Sequence, residues 1–502
     1  MSKNLRTYEE INQKIKNGDI QVITADEMTK LVENEGIEVA AKDIDVVTTG
    51  TFGAMCSSGA FLNFGHADPP IKMEHVWLND IHAYHGNAAV DIYIGATRMS
   101  DTRPFQYGGG HVIEDLVAKR EIELRATAYA TDCYPRTHIE TTFTIDDLNQ
   151  AILCNPRNGY QRYNAATNTR DDTLYTYMGK LLPRLGNVNY AGSGCLSPLS
   201  NDPDYETIGL GTRIFLGGGI GYVIGEGTQH NPKNKFGTIM VKGDLKQMSS
   251  EFLKGAIFSK YGTSLYVGIG IPIPILNEGL AKKTSISDKE LTTSVVDYGV
   301  PRRDRPSLKE TNYEELKSGK IELNNRIIKT SSLTGLKKSK RIAEILKNWI
   351  EEGKFYLSTP IENLPTNTVF KPMKITKEIP FVRSIMGPAT LCKITDSIDT
   401  VAAKIIDQNI NHIIAVDDDR KLLGIVTSFD ITKAVAQKNL TLADVITRKV
   451  VVTTVDEPAA AAARKLETHD ISALPVIDAQ KRVLGMVTAE GLSKLLGRRR
   501  RI

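Results

Sequence analysis

The sequence predicts a protein of the α+β class, in which a large, mixed, glycine-rich N-terminal domain precedes a tandem pair of βαββα repeats. Two observations predict this fold. One C-terminal segment recurs without gaps 61 residues further along the chain, as two copies of one small module would. Residues 1–362 hold most of the 40 glycines and show no regular alternation of strand and helix patterns. With 502 residues, the chain is long enough for several domains.

Composition argues against several classes of protein. The net charge of +4 is small for this length and gives no ground for a nucleic-acid partner. Five widely spaced cysteines without a CxxC pair argue against a disulfide framework, a zinc ribbon or an iron–sulfur cluster within the chain. The most apolar stretch, 267–276, is short and carries two prolines, so we expect no membrane span. No signal-peptide pattern opens the sequence, and we expect a cytoplasmic protein without a metal site.

Local signals predict the elements of the first domain in order. Thr24 and Glu27 form a capping box that begins a helix. The glycine pairs further along never complete a dinucleotide fingerprint, so 212–230 is interpreted as strands joined by tight turns. Residues 339–352 carry apolar side chains at helical spacing and should close the domain. The proline-containing segment 363–380 is predicted to be a linker.

Two cysteines stand out by their sequence environment. Cys56 lies in GAMCSSG, where small neighbours leave the sulfur accessible and backbone N–H groups free to stabilise an anion. Cys133 lies in ATDCYPRTHIE, where the cations Arg136 and His138 would favour a thiolate and could also bind substrate. Cysteines in large domains are more often small buried hydrophobes, and that alternative stays open. Two further cysteines lie in loop-like contexts: Cys154 and Cys195.

A polar segment, 77–116, concentrates histidines and arginines among glycines and acids. Arg103, before a proline and a triple-glycine turn, could bind a substrate carboxylate, and His111 follows that turn. His82 and His85 alone are too few to predict a metal site. We therefore interpret the segment as substrate-binding or structural polar groups.

The C-terminal repeat predicts two similar modules. Residues 409–431 align with 470–492, and helical patterns at 399–408 and 458–468 precede the two copies. Each helix is followed by a short apolar strand, a polar turn, a second strand and a closing helix. Neither copy could bury both faces of its sheet alone, so we expect a pseudo-twofold pair. The modules are placed at 381–439 and 440–498.

This repeat resembles the CBS domain family over residues 381–498. The family binds adenine nucleotides or S-adenosylmethionine between two modules, with an Asp three residues after a Thr holding the ribose. Thr427 and Asp430 complete that pattern, whereas Thr488 of the second copy is followed by Gly491. The resemblance implies at most one adenosyl site, for S-adenosylmethionine, ATP or AMP, with Thr427, Asp430 and Thr488 in it. A pair that only dimerises remains the alternative.

Two motifs of the first domain, TGTFGAMCSSGAFLNFGH and ATDCYPRTHIET, stand ahead of the CBS pair. With that arrangement, the whole chain is similar to the homocysteine biosynthesis family, described as L-aspartate semialdehyde sulfurtransferases. The resemblance implies an enzyme that converts the aldehyde of L-aspartate semialdehyde into the thiol of L-homocysteine. By motif, Cys133 and Cys56 match the family's cysteines.

The resemblance also implies a cysteine persulfide as sulfur carrier, because its outer sulfur is a good nucleophile toward a carbonyl. We assign the persulfide to Cys133, with its cationic sequence neighbours, and a resolving or supporting role to Cys56. The aldehyde carbon must also gain two electrons, and the sequence carries no flavin, nicotinamide or ferredoxin-type motif. A ferredoxin-like iron–sulfur protein acting in trans is the implied partner, and no cofactor intrinsic to the chain is expected.

Two other functions stay open on the sequence. A dehydrogenase of the inosine-monophosphate type also joins CBS modules to a catalytic cysteine, but there the pair is inserted within a barrel of alternating strands and helices. A non-enzymatic adenylate sensor or scaffold would use the large domain only to bind partners. Reactive, low-pKa thiols would favour an enzyme over the sensor. Because CBS pairs commonly stack into dimers, we expect a homodimer.

Overall fold

A computed structural model describes residues 6–159, 161–374, 380–438 and 440–498. The chain divides into two compact units. The first unit comprises residues 1–299 and 306–371, and the second comprises residues 300–305 and 372–502. Part of the predicted linker, 375–379, lies outside the described residues.

The first unit is mixed, with short helices and many strands. Its helices are α1 (Tyr8–Asn17), α2 (Ala25–Glu35), α3 (Ile37–Asp43), α4 (Gly109–Val117), α5 (Pro198–Asn201), α6 (Glu278–Thr284), α7 (Tyr313–Lys317) and α8 (Leu336–Glu351). Its strands are β1 (Val22–Thr24), β2 (Val46–Thr48), β3 (Thr51–Ala54), β4 (Gly59–Asn63), β5 (His75–Leu78), β6 (Ile81–Ala88), β7 (Asp91–Gly95), β8 (Ile122–Thr127), β9 (His138–Phe143), β10 (Gln150–Asn158), β11 (Ala165–Thr167), β12 (Leu174–Thr176), β13 (Gly179–Leu181), β14 (Val188–Tyr190), β15 (Gly209–Leu210), β16 (Arg213–Leu216), β17 (Gly219–Glu226), β18 (Ile239–Asp244), β19 (Leu253–Phe258), β20 (Gly262–Gly270), β21 (Pro272–Pro274), β22 (Thr292–Asp297), β23 (Ser307–Asn312), β24 (Lys320–Leu323), β25 (Arg326–Ser332) and β26 (Glu362–Asn363).

A large antiparallel sheet is the centre of this unit. Its strand order is β19-β20-β16-β17-β18-β10-β4-β7-β6-β5-β8-β9, with β3 paired to β20. A smaller mixed sheet has the order β23-β22-β11-β14-β25-β24, and β1, β2 and β21 form a third. The antiparallel sheet differs from the parallel barrel that the dehydrogenase alternative requires, and the predicted α+β class is confirmed.

The two faces of the large sheet are covered differently. One face carries fully buried side chains such as Leu62 and Ile92, which cluster with Val112 of α4. On the other face, at the β16–β20 end, α8 packs so closely that a Cβ at Gly270 would lie 2.9 Å from Ile342. Further along that second face, Phe61 of β4 is 40% exposed. This partly open face leads to the candidate site.

Several local predictions for this unit are confirmed. Thr24 and Glu27 form the capping box of α2. The segment 212–230 contains β16 and β17, joined by a tight turn in which Gly217 and Gly218 adopt φ values of 61° and 96°. The closing helix is α8, which begins three residues before the predicted start. In the described part of the chain, no helix has the length and hydropathy needed to cross a bilayer.

The second unit contains both predicted repeats. Its elements are β27 (Leu391–Lys393), α9 (Ile398–Gln408), β28 (His412–Val416), β29 (Leu422–Thr427), α10 (Ser428–Ala436), α11 (Leu442–Val445), α12 (Ala459–Thr468), β30 (Ala473–Ile477), β31 (Val483–Thr488) and α13 (Ala489–Arg498). The first copy is the expected βαββα module. In the second copy, the first strand is reduced to a single parallel bridge between Thr453 and Val476.

The two copies pack as a pseudo-twofold pair, as predicted. Leu422 donates its N–H to the Lys481 carbonyl at 3.0 Å, and the equivalent Val483 donates to the Arg420 carbonyl at 3.0 Å. Side chains from both copies share one buried cluster, which includes Ile414 and Met486. The pair therefore supplies the second buried sheet face that neither copy has alone.

Candidate active site

Cys56 lies in the turn between β3 and β4, at the start of β4. The Ser58 N–H closes this turn by donating to the Met55 carbonyl at 3.0 Å. Gly59 begins β4 beside the hydroxyl of Tyr93, which would lie 2.1 Å from any Cβ at that position. Close packing therefore requires glycine at position 59 of the Cys56 motif. The Cys56 side chain itself is partly exposed.

Polar side chains surround the Cys56 sulfur. The Ser264 hydroxyl of β20 donates to Cys56 Sγ at 3.2 Å. Burial raises the pKa of Tyr261 and of Tyr266, and the nearby Cys56 sulfur adds to both shifts. Both phenols therefore stay protonated near neutral pH, and Tyr261 can donate its O–H to an anion. The Tyr266 hydroxyl already donates a hydrogen bond to the Leu333 carbonyl at 2.9 Å.

Residues of β10 brace the turn from the neighbouring strand. The Asn155 side-chain amide donates to Ser58 Oγ at 2.7 Å, and the Ser57 hydroxyl donates to Asn155 Oδ1 at 3.2 Å. Ser57 also reaches the Arg157 carbonyl at 3.3 Å. The Arg157 Nε is buried and has no hydrogen-bond partner in the described part of the chain. Arg157 was not predicted from the sequence, although its Asn-Pro-Arg context indicates a polar strand end.

The other cysteines differ from Cys56. Cys154, which was expected in a loop, lies in β10 opposite Gly59 of β4, and burial raises its pKa. Burial and Asp288 raise the pKa of Cys195 to about 12, and burial and Asp396 raise that of Cys392 to about 11. Cys195 and Cys392 are buried. Buried thiols with such pKa values are protonated at neutral pH and are poor nucleophiles.

Cys133 is exposed at the tip of the hairpin that joins β8 to β9. Its predicted cationic neighbours have other partners. The Arg136 guanidinium donates to the Pro69 carbonyl at 2.9 Å and to the Asp68 carbonyl at 2.7 Å. His138 lies 3.7 Å from the Glu140 carboxylate, and both side chains are exposed. Arg136 therefore fixes the hairpin to the loop after β4, and a substrate-binding role for either residue stays a prediction.

Arg103 and His111 come together around a third side chain. The Arg103 guanidinium lies 4.5 Å from the Tyr107 ring centroid and 3.4 Å from the Asp80 carboxylate. The His111 ring lies 5.4 Å from the Tyr107 ring, and burial lowers the pKa of His111. Asp80 follows the end of β5, whereas the Cys133 hairpin adjoins the start of β5. The four predicted substrate residues therefore form two groups at opposite ends of that strand.

The predicted adenosyl residues lie at helix N-termini in the second unit. Asp430 Oδ2 accepts from the Thr427 N–H at 2.9 Å and from the Thr427 hydroxyl at 2.7 Å. The Asp430 N–H donates back to the Thr427 hydroxyl at 3.2 Å, which completes a capping box on α10. In the second copy, the Gly491 N–H donates to the Thr488 hydroxyl at 3.1 Å. The carboxylate is thus oriented in the first copy and missing from the second.

Comparison with known families gives two matches. The model described as homocysteine biosynthesis enzyme, sulfur-incorporation, matches residues 20–357. The CBS domain model matches twice, at residues 382–437 and 442–498. Together these matches cover most of the chain.

Relatives of nearly full length carry an activity in their names. The L-aspartate semialdehyde sulfurtransferase of Methanosarcina acetivorans is 52% identical over 496 residues, covering 98% of this chain and 99% of that protein. The protein of the same name from Methanocaldococcus jannaschii is 52% identical over 509 residues, with 98% and 99% covered. Among solved structures, a CBS domain pair in complex with 5′-methylthioadenosine and S-adenosyl-L-methionine is 40% identical. It covers 24% of this chain and 99% of its own, with a TM-score of 0.24.

Proposed function

The chain belongs to the homocysteine biosynthesis family of sulfur-incorporating enzymes and is a sulfurtransferase, and we propose that its substrate is L-aspartate semialdehyde and its product L-homocysteine. The observation that carries the proposal is the 52% identity, over nearly the whole length, to two proteins named for this substrate. The accessible thiols Cys56 and Cys133 of the first unit support it. Neither lies in the hydrophobic core, where a structural cysteine would be expected.

In the proposed chemistry, the sulfur is carried as a persulfide on Cys133. Its outer sulfur adds to the aldehyde carbon and its proton moves to the carbonyl oxygen, giving a hydroxyalkyl disulfide. The Cys56 thiol then attacks Cys133 Sγ, so that the outer sulfur leaves with the substrate and a Cys56–Cys133 disulfide forms. Loss of water and addition of two electrons and two protons complete homocysteine. Two further electrons and two protons reduce the disulfide.

Both two-electron inputs need an external donor. We propose a ferredoxin-like iron–sulfur protein acting in trans, which delivers single electrons of low potential. The exposed position of Cys133 in the single chain supports this proposal, because it keeps the thiol near the protein surface at which a donor protein docks. The disulfide is the species that the donor reduces to begin the next cycle.

The substrate's carboxylate needs a cation near the thiols, and Arg157 lies beside the turn that holds Cys56. Arg157 supports this requirement, because its Nε is buried without a partner in the described part of the chain and its carbonyl contacts Ser57. A guanidinium binds a carboxylate through two parallel hydrogen bonds. Arg103, the carboxylate ligand predicted from the sequence, instead lies beside Asp80 and Tyr107.

An assay of homocysteine formation with different sulfur acceptors tests the proposed function. Purified protein, given polysulfide, aspartate semialdehyde and the one-electron donor titanium(III) citrate, should form homocysteine, measured by mass spectrometry. Omitting the donor should stop turnover, because no electrons complete the thiol. Replacing the aldehyde by homoserine should give no product, since an alcohol has no carbonyl for the persulfide to attack. Homocysteine from homoserine, or sustained turnover without a donor, would contradict the proposal.

For the second unit, we propose one adenosyl ligand per chain, bound at the α10 end of the pair. Thr427 holds the Asp430 carboxylate at a helix N-terminus, where ribose hydroxyls could donate to it. S-adenosylmethionine fits as a feedback signal on a route to methionine, with ATP and AMP as the other candidates.

Exposed apolar side chains on α9 and α10 support the expected homodimer, since a second copy would bury them: Ile406, Phe429 and Val435.

A further inference from the structure

The two proposed catalytic cysteines lie at opposite ends of one strand. Cys56 lies three residues before the first residue of β4, whereas His66, three residues after its last residue, stacks on Tyr134 beside Cys133. A strand rises about 3.4 Å per residue, so β4 alone separates its two ends by about 14 Å. Disulfide formation needs Cα atoms within about 7 Å of each other. Within one chain, the two sulfurs therefore cannot meet in this arrangement.

The Cys133 hairpin is also held in place. Six consecutive residue pairs join β8 to β9, from Ile122 with Phe143 to Thr127 with His138. Beyond them, the Ala128 N–H donates to the Thr137 carbonyl at 2.9 Å. Two guanidinium hydrogen bonds of Arg136 tie the tip to the loop after β4. Moving Cys133 to the far end of β4 would break this whole set of contacts.

The sheet face between the two ends is rich in exposed aromatic side chains. Phe61 pairs with Tyr93 across β4 and β7, and Tyr93 pairs with Tyr84 of β6, so the three lie on one face. Phe61 is 40% exposed and Tyr84 is 54% exposed, and the hairpin adds Tyr129 at 53%. Large contiguous apolar patches on a soluble protein usually mark an interaction surface. A twofold interface uses the same patch on both subunits.

We propose that the active site forms between two copies of the chain, with the Cys133 hairpin of one subunit completing the Cys56 site of the other. This inference rests on the proposed function, in which both thiols act in one cycle. With a twofold axis that crosses the strands, the hairpin end of each subunit's sheet lies over the Cys56 end of the other subunit's sheet. The dimer then has two composite sites.

The covalent step is the disulfide exchange of the proposed cycle, now between subunits. Cys56 Sγ of one subunit bonds to Cys133 Sγ of the other, and the bond from Cys133 Sγ to the outer sulfur breaks. The proton of the Cys56 thiol goes to the sulfur that leaves with the substrate. No net electrons enter here, and the ferredoxin-like donor reduces the disulfide afterwards with two electrons and two protons.

Subunit complementation tests the inference. Differently tagged Cys56→Ser and Cys133→Ser chains are coexpressed, and the mixed dimer is isolated through both tags. Each homodimeric variant should be inactive in the homocysteine assay with titanium(III) citrate. The mixed dimer should recover about half of the wild-type rate, because one of its two composite sites contains both cysteines. Polysulfide-loaded wild-type protein, given the aldehyde without reductant, should also form a chain-to-chain disulfide on a non-reducing gel.

Failure of the inference can be distinguished from failure of the function. An active wild-type enzyme with inactive single variants and an inactive mixed dimer would place both thiols in one chain and overturn the inference alone. A monomer by analytical ultracentrifugation under assay conditions would also overturn it. Activity in either single variant would remove the need for two thiols. Absence of homocysteine from the wild type would instead contradict the proposed function.

Discussion

Cys133→Ala should reduce homocysteine formation by at least about a thousandfold, because the substitution removes the atom that carries the sulfur. The side chain is exposed on a hairpin, so the free energy of unfolding should change by no more than about 0.5 kcal/mol. Initial rates with aspartate semialdehyde, polysulfide and titanium(III) citrate measure the effect. Thermal unfolding of both proteins checks the fold.

Two further variants serve as a control and as a second test of the cysteine roles. Cys392→Ala, in the buried core of the second unit, is the control and should leave the rate unchanged. Cys56→Ala should lower the rate severely without unfolding the protein, because its turn is held by backbone and serine contacts rather than by the sulfur. A Cys133→Ala protein that turns over at the wild-type rate would end the assignment of Cys133 as sulfur carrier.

Asp430→Ala should weaken binding of the adenosyl ligand by about 10- to 150-fold, since a charge-assisted hydrogen bond of this kind contributes roughly 1.5–3 kcal/mol. Isothermal titration with S-adenosylmethionine, ATP and AMP in turn identifies the ligand and gives the stoichiometry. One site per chain is expected, because only the first copy offers a carboxylate at this position.

The variant also loses a helix cap, so a matched control is needed. Thr441 and Asp444 form the same capping box on α11, and Asp444→Ala removes a cap without removing the proposed ribose contact. That control should bind normally, and so should Gly491→Ala, whose added Cβ would lie 3.3 Å from Thr488 Oγ1. Two equivalent sites, or equal weakening by Asp430→Ala and Asp444→Ala, would contradict the proposed site.

The features that the sequence predicted well are local or repeated. The capping box at Thr24 and the turn at Gly217 depend on contacts within a few residues, which the sequence records directly. The CBS pair was predictable because the same pattern occurs twice, and two copies rule out coincidence. In the second copy, the first strand of the predicted module is reduced to the single bridge that Thr453 makes.

The arrangement of the candidate site was not predictable, because it depends on pairings between distant segments. β4 pairs with β10, which places Cys154 opposite Gly59 and Asn155 against Ser58. Proximity in sequence also wrongly suggested that Arg136 acts on the Cys133 thiol. The Arg136 guanidinium instead donates hydrogen bonds to the carbonyls of Asp68 and Pro69. No periodicity or motif reports such contacts, and the opposite positions of the two thiols followed only from the sheet order.

Mapping the persulfide by mass spectrometry tests whether Cys133 carries the sulfur. The wild-type protein is incubated with polysulfide, which can transfer a sulfur atom to a thiolate without any oxidant. Accessible groups are then alkylated, the protein is digested, and each cysteine peptide is examined by mass spectrometry. The assignment of the persulfide to Cys133 predicts a mass increase of one sulfur atom on the Cys133 peptide, which disappears when aspartate semialdehyde and reductant are added. Sulfur on another cysteine with none on Cys133, or a Cys133 persulfide that the aldehyde leaves untouched, would contradict it.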